Sequence, residues 1–228
     1  MYQSFDEAKA PAASGGRVKA LVRELKAQRL KGFLVPHSDQ HQNEFLPPSE
    51  ERLAWLTGFT GSAGVAIVTD KGSALFVDGR YILQAPKQVD TDIFEVLQVP
   101  EAKPSEWLKE TLVKGNAVGY DPALHTIKEI DRLTKSLGAE GIRLTPVPEN
   151  PIDKLWEKDR PRPPMAGIVH HSVEFSGRSA AEKIAQVQDT LKEDNQDAVL
   201  LTAPDSICWL FNIRGGDIKH TPVALAFA

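Results

Sequence analysis

Three stretches of this chain carry residue types that could do chemistry. In His37-Ser38-Asp39-Gln40-His41, with Glu44 close by, two histidines four apart could share a helix face and hold zinc. Pro36 precedes the pair, however, and the Ser, Asp and Gln beside it suit a loop. No third ligand stands at a fixed spacing, so a solvated or hydrogen-bonded loop is expected. The second stretch, Thr57-Gly58-Phe59-Thr60-Gly61-Ser62-Ala63-Gly64, is spaced G-x-x-G-x-x-G and is followed by a strand. A phosphate loop needs the strand first and a helix N-terminus after it. Thr60-x-Ser62-x-Gly64 is one residue short of a nucleophile elbow and has the wrong flanks. A tight turn is expected, its glycines letting the backbone fold back before Val65.

Asp78-Gly79-Arg80-Tyr81 is the third stretch. An arginine just past a strand, after a glycine, can reach into a cleft and pair with a carboxylate or carbonyl. The sequence alone favours the plainer alternative, in which Asp78 and Arg80 merely cap a turn. His170-His171 carries less signal still, and Cys208 between Ile207 and Trp209 reads as a core thiol. No paired acids with a base, no metal set and no Ser-His-Asp order stand out.

Composition narrows the function classes. With 41% apolar and 25% charged residues over 228 positions the chain is of the soluble globular type,. Its net charge of -4 is mild, and no basic stripe argues for nucleic acid. No run approaches the roughly 18 apolar residues that cross a bilayer. Asp6 and Glu7, without an apolar h-region, do not make a secretory signal. A single cysteine cannot form an internal disulfide, which fits a reducing compartment. The expected location is the cytoplasm, and residues 1–16 are expected to be a flexible tail.

The elements that must position these stretches alternate. A helix is predicted over Arg17–Lys31 from Val18, Leu21, Val22, Leu25 and Leu30, then a strand over Phe33–Pro36. Val65–Thr69 and Ala74–Asp78, split by Asp70-Lys71-Gly72, predict a hairpin. A short helix from about Gly79 to Ala85 should be closed off by Pro86. Further strands are predicted at Ile93–Leu97, Ala117–Tyr120 and Ile142–Val147. A helix should start near Pro104. Another should run from a Thr126/Glu129 capping box to Leu137, with Gly138 as its stop. Six prolines from Pro146 to Pro164 leave too few donors for regular structure, so a strap or linker is expected there. The hairpin is antiparallel and the helix-linked strands suggest parallel neighbours. The fold class is therefore α/β, a mixed sheet flanked by helices.

The pattern then repeats. Ser179 with Glu182 makes a second capping box, followed by Ile184, Val187 and Leu191 at helical spacing. Ala198-Val199-Leu200-Leu201, Ile207-Cys208-Trp209-Leu210, a Gly215-Gly216 turn and Val223-Ala224-Leu225-Ala226 come next. Placing Trp209 on Trp55 brings the other elements into near register, as in a duplicated unit. The expected organisation is a first domain over 17–150, a proline-rich linker over 151–178 and the start of a second domain over 179–228. This second copy is incomplete, because a sheet cut there would leave an open edge, so the chain is expected to be the front part of a longer protein.

Several separated motifs also resemble one family. His41-Gln42-Asn43-Glu44-Phe45, Arg52 through Gly64, and Val77 through Ala85 are similar to Xaa-Pro aminopeptidase (aminopeptidase P) in its long, three-domain form. So are Val147 through Trp156, Asp159-Arg160-Pro161 and Asp205 through Asp217. The resemblance implies two related N-terminal domains followed by a pita-bread catalytic domain. That domain would carry a dinuclear manganese or zinc centre of two Asp, one His and two Glu, none of them within these residues. It also implies a substrate with proline at its second position and a homodimer; the charge and hydropathy read above lead to no nucleic-acid or membrane partner being expected. By motif matching Arg80 is the one substrate-binding residue that carries over; His41 and Glu44 match a family segment without a catalytic role. A peptidase-like module kept only for binding is the alternative function.

Overall fold

The computed structural model describes residues 13–228, which fall into two units: 13–40 with 51–161, and 41–50 with 162–228. The expected tail over residues 1–12 lies outside the described residues. Ser14–Gly16, expected in that tail, instead open the first helix.

In the first unit the order is α1 (Ser14–Ala27), β1 (Gly32–Pro36), α2 (Arg52–Thr57), β2 (Gly64–Thr69), β3 (Ser73–Val77), α3 (Ala85–Gln88), β4 (Phe94–Gln98), α4 (Pro104–Thr111), β5 (Ala117–Tyr120), α5 (Ile127–Gly138), β6 (Arg143–Pro146) and α6 (Pro151–Trp156). The six strands form one sheet in the order β4-β3-β2-β1-β5-β6. β2 runs antiparallel to both β1 and β3, and the other pairs are parallel. This is the expected mixed sheet. Period-two alternation splits its side chains between two apolar layers. Phe33, Val35, Val68, Leu75 and Val77 meet Leu21 and Leu25 of α1, Leu56 of α2 and Ile152 of α6 in one core. Leu34, Ile67, Ala74 and Phe76 meet Leu108 of α4 and Leu137 of α5 in the other.

Three local expectations change in this unit. Pro86 does not close a helix; it sits in the first turn of α3, where its missing N–H has no intrahelical partner to lose,. Gly138 is the last residue of α5, and the left-handed glycine that turns the chain is Gly141, φ 68°. Most consequentially, the proline-rich segment does contain a helix. Pro151 takes the first helical turn of α6, and the Asn150 side chain caps it by accepting from Ile152 N–H at 2.9 Å,. Arg52 Nε and Nη2 grip the Asp153 carboxylate at 2.6 and 2.9 Å, and Arg160 adds a third contact at 2.8 Å. Trp156 stacks on Trp55, and the Arg17 guanidinium lies over the Trp55 ring at 4.5 Å.

The second unit holds β7 (Val169–His170), α7 (Val173–Ser176), α8 (Ala180–Glu193), α9 (Pro204–Phe211) and β8 (Ile213–Arg214), with β7 and β8 antiparallel. Both bonds of the Ser179/Glu182 capping box form. Like α2, which ends on Gly58 at φ 88°, α9 ends on a left-handed residue, Asn212 at φ 52°. Lys183 of α8, 2% exposed, donates to Trp209 O and Asn212 Oδ1 at 2.7 Å each, clamping α8 to the end of α9. The apolar runs at 198–201 and 223–226 are not strands. Leu201 and Ala228 exchange backbone hydrogen bonds, and Val223 O accepts from Asp217 N–H at 3.2 Å, but neither run builds a continuous ladder.

Candidate functional site

β3 is buried along its whole length and hydrogen-bonded on both sides, so its C-terminal end is fixed. The chain then turns sharply. Asp78 Oδ1 accepts from the Arg80 backbone N–H at 2.9 Å, and Asp78 O accepts from Tyr81 N–H at 3.0 Å. The Arg80 side chain folds back on the same carboxylate. Its Nε lies 3.0 Å and its Nη2 2.7 Å from Asp78 Oδ2, and the guanidinium carbon sits 5.1 Å from the Tyr81 ring centre. This hydrogen bonding, first from the Arg80 side chain, holds the Asp78 carboxyl below the usual carboxylate range,. Arg80 remains 60% exposed and Asp78 31%. The capping geometry is therefore real, and it still presents a cation at the surface.

The glycine-rich stretch is the support for this turn. Thr57 Oγ1 donates to Leu53 O and accepts from Phe59 N–H, which folds the chain over the end of α2. Phe59 is fully buried and meets the Tyr81 ring edge-on at 5.3 Å. A side chain at Gly61 would place Cβ 2.3 Å from Phe59 Cζ and 2.8 Å from the Tyr81 ring. Gly61 is thus needed for close aromatic packing, whereas among the glycines of this turn a left-handed φ occurs at Gly58 alone. Tyr81 Oη accepts from Ser62 N–H at 3.0 Å and shares a hydrogen bond with Ser62 Oγ at 2.9 Å. Gln88 binds the Thr60 N–H through Oε1 and the Thr60 hydroxyl through Nε2, and Gln84 Nε2 donates to Gln88 Oε1. The two motifs form one cluster, with Arg80 at its solvent side. The bracing roles of Tyr81, Gln84 and Gln88 escape sequence reasoning, since nothing in their spacing links them to residues 57–64.

The histidine stretch resolves differently. Residues 37–47 form no helix, and the two histidines fall in different units. His37 Nδ1 lies 3.9 Å from Glu51 Oε2, and burial pushes the Glu51 carboxyl up. His41 stacks on Phe227 at 4.5 Å, with Nδ1 3.1 Å from Thr202 O. Among the described residues no group of three or more His, Cys, Asp or Glu could hold a metal ion. The residues present do not fit a metal centre. Among the same residues no helix is long and apolar enough to cross a membrane.

A mixed six-stranded sheet with this glycine turn braced against an Asp-Gly-Arg-Tyr segment marks a domain class, and family profiles match it in both halves. Residues 17–155 and residues 159–228 each match a profile described as Creatinase/Prolidase N-terminal domain. The chain belongs to the creatinase/prolidase N-terminal domain family, and the two matches follow the duplication read from its sequence. Among curated relatives, a probable Xaa-Pro aminopeptidase P of Coccidioides posadasii is 36% identical over 229 residues, covering 100% of this chain and 35% of that protein. One from Paracoccidioides lutzii is 39% identical over 212 residues, or 92% of this chain and 34% of the relative. The chain thus spans about a third of the length of the relatives it matches. Among solved structures, the X-prolyl aminopeptidase of Caenorhabditis elegans superposes with a TM-score of 0.89 at 30% identity, over 95% of this chain and 37% of that one. That protein is described as a cytosolic enzyme with a di-nuclear active site.

Proposed function

We propose that this chain is the non-catalytic front of a metal-dependent Xaa-Pro aminopeptidase, a hydrolase that removes an N-terminal residue preceding proline. The observation that carries this is the alignment of proteins bearing that name along nearly the whole chain, at 36% and 39% identity. Within that enzyme the chain shapes the substrate cleft and supports a homodimer, in the cytoplasm and without nucleic-acid or membrane partners. Arg80 supplies a hydrogen-bond donor to the bound peptide. Its place on a turn braced by Tyr81 and Ser62 supports this, since a donor held in position loses less entropy on binding than a mobile one. The two manganese or zinc ions belong to a catalytic domain outside these residues, and no step of the chemistry is assigned to the residues described above.

The test compares two purified proteins on peptides with proline second, with and without manganese. Metal-dependent release of the first residue is expected from the full-length protein and none from residues 1–228. Release by residues 1–228 alone sinks the proposal. A folded full-length protein with no activity points instead to a peptidase-like binding module.

A further inference from the structure

Asp78 does more than cap a turn. Its carboxylate takes the Nε and Nη2 edge of Arg80, and the backbone N–H of Arg80 fixes Oδ1 in place. The turn is anchored in addition by the buried end of β3 and by Tyr81 on Ser62. An anionic group is therefore held against the guanidinium by the fold itself. A ligand that approaches Arg80 meets a neutralised pair and not a bare cation. An incoming carboxylate would have to lie within a few ångströms of Asp78, whereas a neutral carbonyl oxygen can accept from the guanidinium without that repulsion.

We infer that Asp78 is a specificity-determining residue of the Arg80 site, setting it to receive a neutral backbone carbonyl of a continuing peptide in preference to a terminal carboxylate. This rests on the peptide-contacting role proposed for Arg80. The enzyme would accordingly favour substrates in which the proline is followed by further residues, or is amidated, over the free dipeptide.

The experiment uses the full-length protein and two near-isosteric substrates, an Xaa-Pro dipeptide and its Xaa-Pro amide. Both are assayed at pH 7, where the free carboxyl is ionised. Asp78→Asn keeps the size and an acceptor for the Arg80 N–H while removing the charge. It should raise the ratio of kcat/KM for the acid to that for the amide by about five- to tenfold. Asp78→Glu, which restores the charge, should return the ratio towards wild type, and salt should damp the wild-type preference because the groups are solvent-facing. A ratio unmoved by Asp78→Asn, while Arg80→Ala still lowers kcat/KM for both substrates, overturns this inference and leaves the role of Arg80 standing. If Arg80→Ala changes neither substrate, the Arg80 role fails and this inference with it.

Discussion

Tyr81 Oη lies 2.9 Å from Ser62 Oγ and 3.0 Å from Ser62 N, so one phenol joins the glycine-rich turn to the segment that carries Arg80. Tyr81→Phe removes that joint and leaves the Ser62 N–H to find another acceptor. A loss of about 0.5–1.5 kcal/mol in unfolding free energy is expected in urea titrations. Gly61→Ala attacks the same joint sterically, since its Cβ would press on Phe59 and Tyr81. Overpacking of that kind costs about 1–3 kcal/mol. A Gly61→Ala protein as stable as wild type would show that the aromatic pair does not depend on the missing side chain.

Arg80→Ala separates recognition from folding. A charge-assisted hydrogen bond is worth roughly 1.5–3 kcal/mol, so the full-length variant should lose about one to two orders of magnitude in kcat/KM. Its Tm should barely move, because the ion pair with Asp78 is largely exposed,. The opposite pattern, lost stability with normal kinetics, would mean that the pair serves the turn alone.

Asp153→Ala should be the most damaging of the charge deletions. It removes the carboxylate contacted by both Arg52, whose side chain is 7% exposed, and Arg160. A cost of about 2–3 kcal/mol is expected by chemical denaturation, below that of a fully buried pair because Asp153 keeps some access to water. Replacing both Arg52 and Asp153 with apolar residues should recover part of it, and failure to recover any would point to a role for the pair beyond charge pairing.

Acid should weaken the β5–α5 corner. The Glu129 carboxylate, 3.2 Å from His125 Nδ1, is held below its usual range chiefly by that hydrogen bond. A carboxyl whose pKa falls on folding stabilises the fold above its unfolded value of about 4.3. That contribution is lost as pH drops through the lower folded value. The stability gap between wild type and Glu129→Gln should therefore close as pH falls from 6 to 3, and a constant gap would contradict the coupling.

Hydrogen exchange should grade the two units. The second is held by the two-residue β7–β8 ladder and a core of Cys208, Ile218, Val223 and Ala224. Amides over residues 179–228 should exchange faster than those of β1, β2 and β3. Equal protection in a monomer would contradict this ranking.

The sheet was legible because its inner strands are short continuous apolar runs and its hairpin turn is short,; Phe33, Leu34 and Val35 announce two buried faces within three residues. The Ser179/Glu182 cap was legible for the same reason, being local. What escaped depends on distant partners. Nothing near Pro151 shows that Asp153 of α6 will be gripped by Arg52, 101 positions before it, and proline counting alone argued against a helix. At the site, Arg80 was visible as a cation past a strand, but its pairing with Asp78 left two roles open. The dependence of the glycine turn on Tyr81 and Gln88 is written in three dimensions only.

The membership of residues 41–50 in the second unit has a consequence for synthesis. His41 waits for Thr202, 161 positions later, to supply its hydrogen-bond partner. At about 5–20 residues per second on the ribosome, that is roughly 8–30 s during which this segment has been made and its own neighbours do not yet exist. The stretch that brings Phe227 to the His41 ring is thus made long after the loop it settles.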